Sequence, residues 1–399
     1  MRRDSGKTDK HTHGILMVGM LNSPHFQRWI LGMRHSGEIT KILVFPTDRY
    51  SSIPEFYKQF NGTFDIKVLA PYFPLKIYYY ISLALDYFMG STWRSRQLAR
   101  VVRRYSPTII HFHEMQHGAY LYNDIEPKFR ARPIKKIVST WGSDLTIYSK
   151  IGPYLSPEGL LNPNHSKQIA KVLNWTDILT AERYSEIEDA ARLGFHKKFI
   201  APVYITVGVD TEILNQMKVA PSHRSQVIIK GYQHDAGRAL NALEAIRKVQ
   251  KQLTKYQVLI YSASESVRIQ AELISFETGI KIRILPRIAH EEVIKELEKS
   301  RVYIGLSISD GLSTSMVEAM STGCFPIQSQ NSAAAIFLKP GVSGFIVDPW
   351  KIDDIANKIK LALEDDELVD KAVVINRETL GKKYSFAEGV KIIQDLYRD

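Results

Sequence analysis

Short apolar runs alternate with amphipathic stretches along nearly the whole chain. GILMVGM, KILVFP, FDIKVLA, TIIHFHE, KKIVSTWGSD and DILTAE follow one another in the first half. SQVIIKGY, YQVLIYS, IKIRILP, RVYIGLSI, CFPIQS and GFIVDP follow in the second. Runs this short and this continuously apolar suit parallel strands covered on both faces. Helical stretches lie between them: SRQLARVVRRY, GRALNALEAIRKVQKQL with Leu240, Leu243 and Val249 apolar, and HEEVIKELEKS. Near the start, Ser23 reads as an N-cap and Pro24 as the first helical residue. Phe26, Trp29, Ile30 and Met33 then follow at core-facing helical spacing. The alternation predicts an α/β chain of mostly parallel sheets with helices on both faces. With 399 residues there is enough chain for two Rossmann-like, doubly wound domains, and two such domains facing one another make a cleft. The expected divisions are a polar tail over 1–13, an amino-terminal domain over 14–207, a linker over 208–223, a carboxy-terminal domain over 224–380 and a last helix over 381–399.

Charge separates the halves. Residues 1–200 carry 28 Lys+Arg against 17 Asp+Glu, whereas 201–399 carry 25 of each, so the whole net charge of +11 belongs to the first half. That asymmetry points to an anionic partner there: a membrane surface, nucleic acid or a phosphate-bearing substrate. A basic solvated surface is the plainer alternative. The single cysteine, Cys324, lies in an expected buried strand, so no disulfide framework exists and a reducing, cytoplasmic setting is expected. No secretory leader and no apolar run long enough to span a bilayer are visible. Aromatic residues crowd Tyr72–Phe88 and cations crowd Arg94–Arg104. That pairing suits peripheral contact with anionic lipid, or else a core helix followed by a solvated one.

Three loops carry the chemistry. SDGLSTSMVEAMSTGCFPI, Ser309–Ile327, sets Asp310 after a buried strand and Glu318 eight positions later on a short helix stopped by Gly323. Ligands bind at such strand ends, and helix N–H groups there hold anions. Ser315 and Glu318 also spell a capping box, which would occupy Glu318 structurally. KGYQHDAGRA, Lys230–Ala239, offers Lys230 and Arg238, the latter at an expected helix start that is unfavourable for a surface cation. HFHEMQH, His111–His117, puts two rings on one strand face, a geometry shared by metal sites, although no coherent further ligand set is evident. SPHFQRW lacks the glycine pattern of a dinucleotide site. His25 and Arg28 there suit an acceptor phosphate.

Asp310-x7-Glu318 with EAMSTGCFPI, followed by GVSGFIVDP and preceded by Gly208–Asp210, resembles the acid-x7-acid signature of the family-4 retaining glycosyltransferases, which have the GT-B fold. The family more often has Glu at the first position. The resemblance implies that Glu318 binds the ribose of a nucleotide-sugar and that Asp310 contacts the donor sugar. Gly311, Ser313, Thr314 and Ser315 would line the diphosphate. Arg238 is then the expected diphosphate cation and Lys230 a weaker one, because the family's usual Gly-Arg reads Gly231-Tyr232 here. His113 matches the family's His near the sugar, and Asp144 in STWGSD is similar to its Gly-x-Asp and would be an acceptor-side acid. Catalytic roles thus fall to His113, Asp310 and Glu318, and acceptor roles to His25, Arg28 and Asp144. No metal or other cofactor is implied, the NDP-sugar being the donor substrate. The resemblance implies transfer of a glycosyl unit to a glycan or lipid-linked sugar hydroxyl, in surface polysaccharide biosynthesis, at the cytoplasmic face of a membrane. The last helix crosses back to the first domain in relatives. A GT-B-fold epimerase or phosphorylase and an inactive basic membrane- or nucleic-acid-binding protein remain alternatives. Against the last, no nucleic-acid reading motif is found.

Overall fold

The computed structural model describes residues 14–47, 53–60, 64–69, 93–152, 164–204, 206–209, 219–234, 236–286 and 288–398, with the side chain of His117 outside that set. The expected aromatic run at Tyr72–Phe88, the 1–13 tail, Asp210 and most of the 208–223 stretch lie outside the described residues. By contact the chain forms two units, Met1–Thr206 with Ile393–Asp399, and Val207–Ile392.

Unit 1 is built on seven parallel strands: β1 (Ile15–Gly19), β2 (Lys41–Pro46), β3 (Asp65–Val68), β4 (Ile109–His113), β5 (Lys135–Ser139), β6 (Ile178–Thr180) and β7 (Lys198–Ile200). Their order is β3-β2-β1-β4-β5-β6-β7. Unit 2 has six: β8 (Gln226–Lys230), β9 (Gln257–Tyr261), β10 (Ile282–Ile284), β11 (Ser300–Gly305), β12 (Phe325–Ser329) and β13 (Phe345–Val347). Their order is β10-β9-β8-β11-β12-β13, again parallel throughout. Both sheets therefore reverse direction of build-up once, between β1 and β4 and between β8 and β11. Ligands of open α/β sheets bind outside the carboxyl ends of strands at such a reversal.

Alternation along each strand decides what reaches those ends. In unit 2, Val227, Ile229, Val258, Ile260, Val302, Ile304, Phe325 and Ile327 join one apolar core with the Ala239–Lys248, Glu265–Thr278 and Ile352–Glu364 helices. The other face of the same strands carries Lys230, Tyr261, Tyr303, Gly305 and Gln328. In unit 1, Leu16, Val18, Ile110, Phe112, Val138 and Leu179 make the core. The opposite face ends in Gly19, His113, Ser139 and Thr180.

The first helix, Pro24–His35, forms as its sequence predicts: the Ser23 side chain caps Phe26 N–H, Pro24 opens the helix, and Phe26, Trp29, Ile30 and Met33 are buried. The basic stretch forms the Trp93–Tyr105 helix, which buries Ser95, Leu98, Ala99 and Val102 and leaves Arg96, Arg100, Arg103 and Arg104 exposed. Among the described residues no helix is long and apolar enough to cross a membrane.

Candidate functional site

The strand ends of unit 2 form one row. Register pairs Lys230 with Tyr261 on β9, and Gln328 with Gly305 on β11. Ile229 pairs with Ile304, so Lys230 and Gly305 are next in step. The row therefore reads Tyr261, Lys230, Gly305, Gln328 across four neighbouring strands. A Cβ on Gly305 would fall 2.3 Å from the Tyr303 Oη and 2.6 Å from Gln328 Oε1. The absent side chain is the space that the Tyr303 phenol fills, beside Lys230.

Two loops meet above this row. Arg238 N–H donates to Leu306 O (3.0 Å), and Ile308 N–H donates to Ala236 O (2.8 Å), which ties the loop after β8 to the loop after β11. Asp310 N–H donates to Asn331 O at 3.0 Å, and Gly311 O accepts from Ala333 N–H at 2.9 Å. The Thr314–Ser321 helix then starts, with the Ser313 hydroxyl accepting from Met316 N–H at 3.4 Å. Its first N–H groups, at Thr314 and Ser315, have no acceptor in the helix ladder.

That start corrects the expected capping box. The N-cap is Ser313, not Ser315, so position three of the helix is Met316 and Glu318 lies beyond reach of the N-cap N–H. Glu318 instead accepts from or shares a proton with His290, Oε1 to Nε2 at 2.8 Å. The structural use that the sequence offered for Glu318 is thereby removed, and the carboxylate stays half-buried.

Charge concentrates there. Burial works against the ammonium of Lys230, but Asp310, Tyr303, Tyr232 and Glu318 outweigh it and hold its pKa above the usual value. Its Nζ lies 4.9 Å from the centroid of the Tyr232 ring. Burial drives the Tyr303 phenol upward, with Asp310 and Glu318 adding to it against Lys230 and Ser313. Tyr261 is pushed well above its ordinary value, first by burial. Arg238 is engaged elsewhere: Nη1 donates to His234 O (2.9 Å) and Gly237 O (2.6 Å), and the guanidinium lies 4.9 Å from the Trp350 ring centroid.

In unit 1 the expected residues separate. His113 is fully buried, with Phe26 and Trp29 edge-on at 5.1 and 5.0 Å and His111 at 4.3 Å. Neither of its ring nitrogens has a hydrogen-bond partner, and burial drives its pKa down to about 3. It is a neutral ring inside the packing. Both nitrogens of His111 are taken, Nδ1 by Tyr397 Oη at 2.5 Å and Nε2 by Ser139 Oγ at 2.7 Å. Among the described residues no group of three or more His, Cys, Asp or Glu is placed to hold a metal ion. Arg28 donates from Nε to Thr206 O at 2.8 Å. His25 and Asp144 both meet Trp141: the His25 ring is edge-on at 5.8 Å, and Asp144 Oδ2 accepts from Trp141 N–H at 3.0 Å. Burial, with Glu114 and Glu186 nearby, raises Asp144 to about 7 against the Trp141 and Met115 N–H groups.

Tyr261, Tyr303, Gln328 and His290 were not among the residues expected from the sequence. A signal for the first three was present, because QVLIY, QVIIK and FPIQ each end an apolar run in a polar side chain, and VYIG breaks its run with Tyr and Gly. His290 gave none, since 28 residues separate it from Glu318.

Residues 230–379 match the family model of glycosyl transferases group 1. The match lies wholly within unit 2. The chain also resembles solved glycosyltransferase structures over almost its full length. Sucrose-phosphate synthase from Thermosynechococcus elongatus aligns with a TM-score of 0.72 at 14% identity, over 96% of this chain and 98% of that one. Anabaena HepE in complex with UDP-glucose aligns with a TM-score of 0.66 at 12% identity, over 96% and 98%. The lipopolysaccharide outer core galactosyltransferase WaaB aligns with a TM-score of 0.63 at 14% identity, over 94% and 98%. At these identities the likeness is one of fold, and the fold is GT-B, with two Rossmann-like domains. Sequence comparison with curated proteins finds no match. All the residues expected on the donor side, Lys230, Arg238, Asp310, Gly311, Ser313, Thr314, Ser315 and Glu318, fall within the matched residues 230–379.

Proposed function

We propose that this chain is a metal-independent, retaining glycosyltransferase that moves a glycosyl unit from an NDP-sugar to a sugar hydroxyl of a glycan or lipid-linked acceptor, in polysaccharide assembly. The observation that carries the reading is the pair Asp310 and Glu318 at the mouth of the Thr314–Ser321 helix, at the reversal of the unit 2 sheet, within the residues that match the group 1 model. The likeness in fold to HepE, solved with UDP-glucose, supports a nucleotide-sugar donor.

The roles follow from side-chain chemistry. Glu318 has a second carboxylate oxygen beyond the one facing His290, and a carboxylate suits a vicinal diol such as ribose because it accepts two hydrogen bonds. Asp310 would take hydroxyls of the donor sugar. The N–H groups at Thr314 and Ser315, with Gly311 and Ser313 lining the turn, would hold the diphosphate together with Lys230 and Arg238. Charge that develops on the leaving diphosphate is stabilised by cations already in place. His25, Arg28 and Asp144 are assigned to the acceptor. His113, sealed under Phe26 and Trp29, is given no catalytic role. The exposed Arg96, Arg100, Arg103 and Arg104 support an anionic membrane surface as the setting of the acceptor.

The test is transfer from a panel of labelled UDP-, GDP-, ADP- and dTDP-sugars to glycan and lipid-linked acceptors, with the anomeric configuration of the product read by NMR. Retained configuration, abolished in Glu318→Ala, is the expected result. An inverted product would overturn the retaining assignment, and nucleotide-sugar turnover without any acceptor sugar would point to an epimerase.

A further inference from the structure

We propose that unit 2 self-associates through the outer face of the Glu265–Thr278 helix, a second copy of this chain packing antiparallel against it about a two-fold axis. This stands on unit 2 alone, whatever its substrate.

The helix joins β9 to β10, the strand at one edge of its sheet. Val267, Ala271 and Ile274 on its inner face belong to the unit 2 core. Its outer face carries Ile269, Leu273 and Phe276, at i, i+4 and i+7, which is a second apolar stripe. These three are 54%, 50% and 90% exposed. Single apolar residues scattered on a surface are ordinary, whereas an aligned row marks a contact surface. A helix apolar on both faces is one that gets covered on both. The stripe is also held on a regular, well-ended helix: Gly279, at φ 73°, closes it by donating its N–H to Ser275 O at 2.9 Å.

The charges beside the stripe select the occupant. Arg268 and Glu272 lie one turn apart on one flank of the outer face. Among the described residues neither side chain has an ion-pair or hydrogen-bond partner. Glu244 on the neighbouring helix, by contrast, is held by both Arg247 and Gln270. When two copies of a helix pack antiparallel about a two-fold axis, the same flank of each meets, in reversed order. Arg268 then meets the second copy's Glu272, Glu272 meets its Arg268, and Ile269 lies against its Leu273. Phe276 reaches the first turn of the second copy's helix. Such a contact is self-complementary and closed. The charges add register and specificity more than affinity. Anionic lipid is the poorer fit, because the helix sets Glu265, Glu272 and Glu277 against the single cation Arg268. One helix face makes a small interface, so the dissociation constant is expected to be roughly micromolar.

The experiment is sedimentation equilibrium of the full-length chain from low to high micromolar concentration. Wild type should pass from monomer to dimer over that range. Phe276→Glu and Leu273→Glu should each weaken dimerisation by about tenfold or more, since apolar anchors carry most of an interface. Both side chains are exposed in the single chain, so melting temperatures taken where wild type is monomeric should not change. Arg268→Glu should weaken dimerisation by about threefold, because it sets like charges together on both sides of the axis. Combining Arg268→Glu with Glu272→Arg should restore it. A wild type that is monomeric throughout overturns the proposal. So does a dimer indifferent to Phe276→Glu and Leu273→Glu, which would place the interface elsewhere. Failure of the double reversal to recover association overturns the antiparallel pairing by which the second copy is chosen. A monomer that instead floats with phosphatidylcholine vesicles, and does so less as Phe276→Glu, gives the face to lipid and overturns the proposal as well.

Discussion

The two sheets solve the same geometric problem with opposite chemistry. Each reverses once, and at each reversal a strand ends in glycine. In unit 1 that glycine is Gly19, and a Cβ there would meet the Phe26 ring at 2.7 Å and His113 Cβ at 3.2 Å. In unit 2 it is Gly305, and the space is taken by the Tyr303 phenol and Gln328. Aromatic hydrocarbon from the Pro24–His35 helix therefore covers the unit 1 strand end and turns His111 and His113 into packing residues. A phenol and an amide occupy the unit 2 strand end and leave Lys230, Asp310 and Glu318 half-open. The same gap in a parallel sheet becomes core or site according to what fills it.

The comparison breaks most visibly at Trp29. Its ring touches His111 and His113, and its Nε1 donates to Tyr397 Oη at 3.0 Å. Trp29→Ala should cost about 3–5 kcal/mol, as expected for a buried tryptophan, read by urea melting. A cost below about 1 kcal/mol would show that the unit 1 strand ends are looser than the packing indicates.

Gly305→Ala tests the other end and should destabilise by about 1–3 kcal/mol, the usual range for overpacking. Because the added methyl would strike the phenol oxygen, Tyr303→Phe should recover part of that loss in a double-mutant cycle. Strict additivity would mean that the phenol does not fill the glycine's space.

A further difference between the units is one of pH. Burial holds His113 near 3, and burial first, then repulsion between the two rings' protonated forms, holds His111 well below its ordinary range. The unfolded chain takes up protons near pH 6.5 that the folded one refuses. The stability from neutral His113 is thus complete above about pH 6.5 and falls by about 1.4 kcal/mol per pH unit as acid is added. Asp144, raised to about 7, has the opposite sign: its contribution is complete below the ordinary carboxylate value and is lost as pH rises through about 7. Melts from pH 4.5 to 8 should therefore show a shallower acid-side slope in His113→Leu, and Asp144→Asn gaining on wild type as pH rises. Parallel curves for all three proteins would contradict the burial of both groups.

The sequence made much of unit 2 legible and less of unit 1, for a physical reason. Asp310, Glu318 and the helix between them lie within one loop and two turns, so spacing alone places them together. The strands were legible because parallel strands covered on both faces are continuously apolar, as ILMVG and SRVYIG are. His113 was read as a reacting group because its strand-end position is local information. Its covering rings come from a different helix, and the Tyr397 that takes up its neighbour His111 lies 286 residues away. No local pattern carries that. The cap at Ser313 rather than Ser315 was a contest between two serines two residues apart, decided by where the loop after β11 is pinned to Asn331 and Ala333.

The most direct test of the central claim, that the half-open strand ends of unit 2 hold the nucleotide, is thermal shift of the full-length protein against UDP-, GDP-, ADP- and dTDP-sugars. Wild type, Glu318→Ala and the unit 1 variant Tyr397→Phe are compared. A ligand at about 100 times its Kd stabilises the folded state by about 2.7 kcal/mol. One nucleotide should raise the melting temperature of wild type and Tyr397→Phe and leave Glu318→Ala unmoved. A shift that survives in Glu318→Ala, or one lost in Tyr397→Phe alone, would place the nucleotide elsewhere and contradict the account.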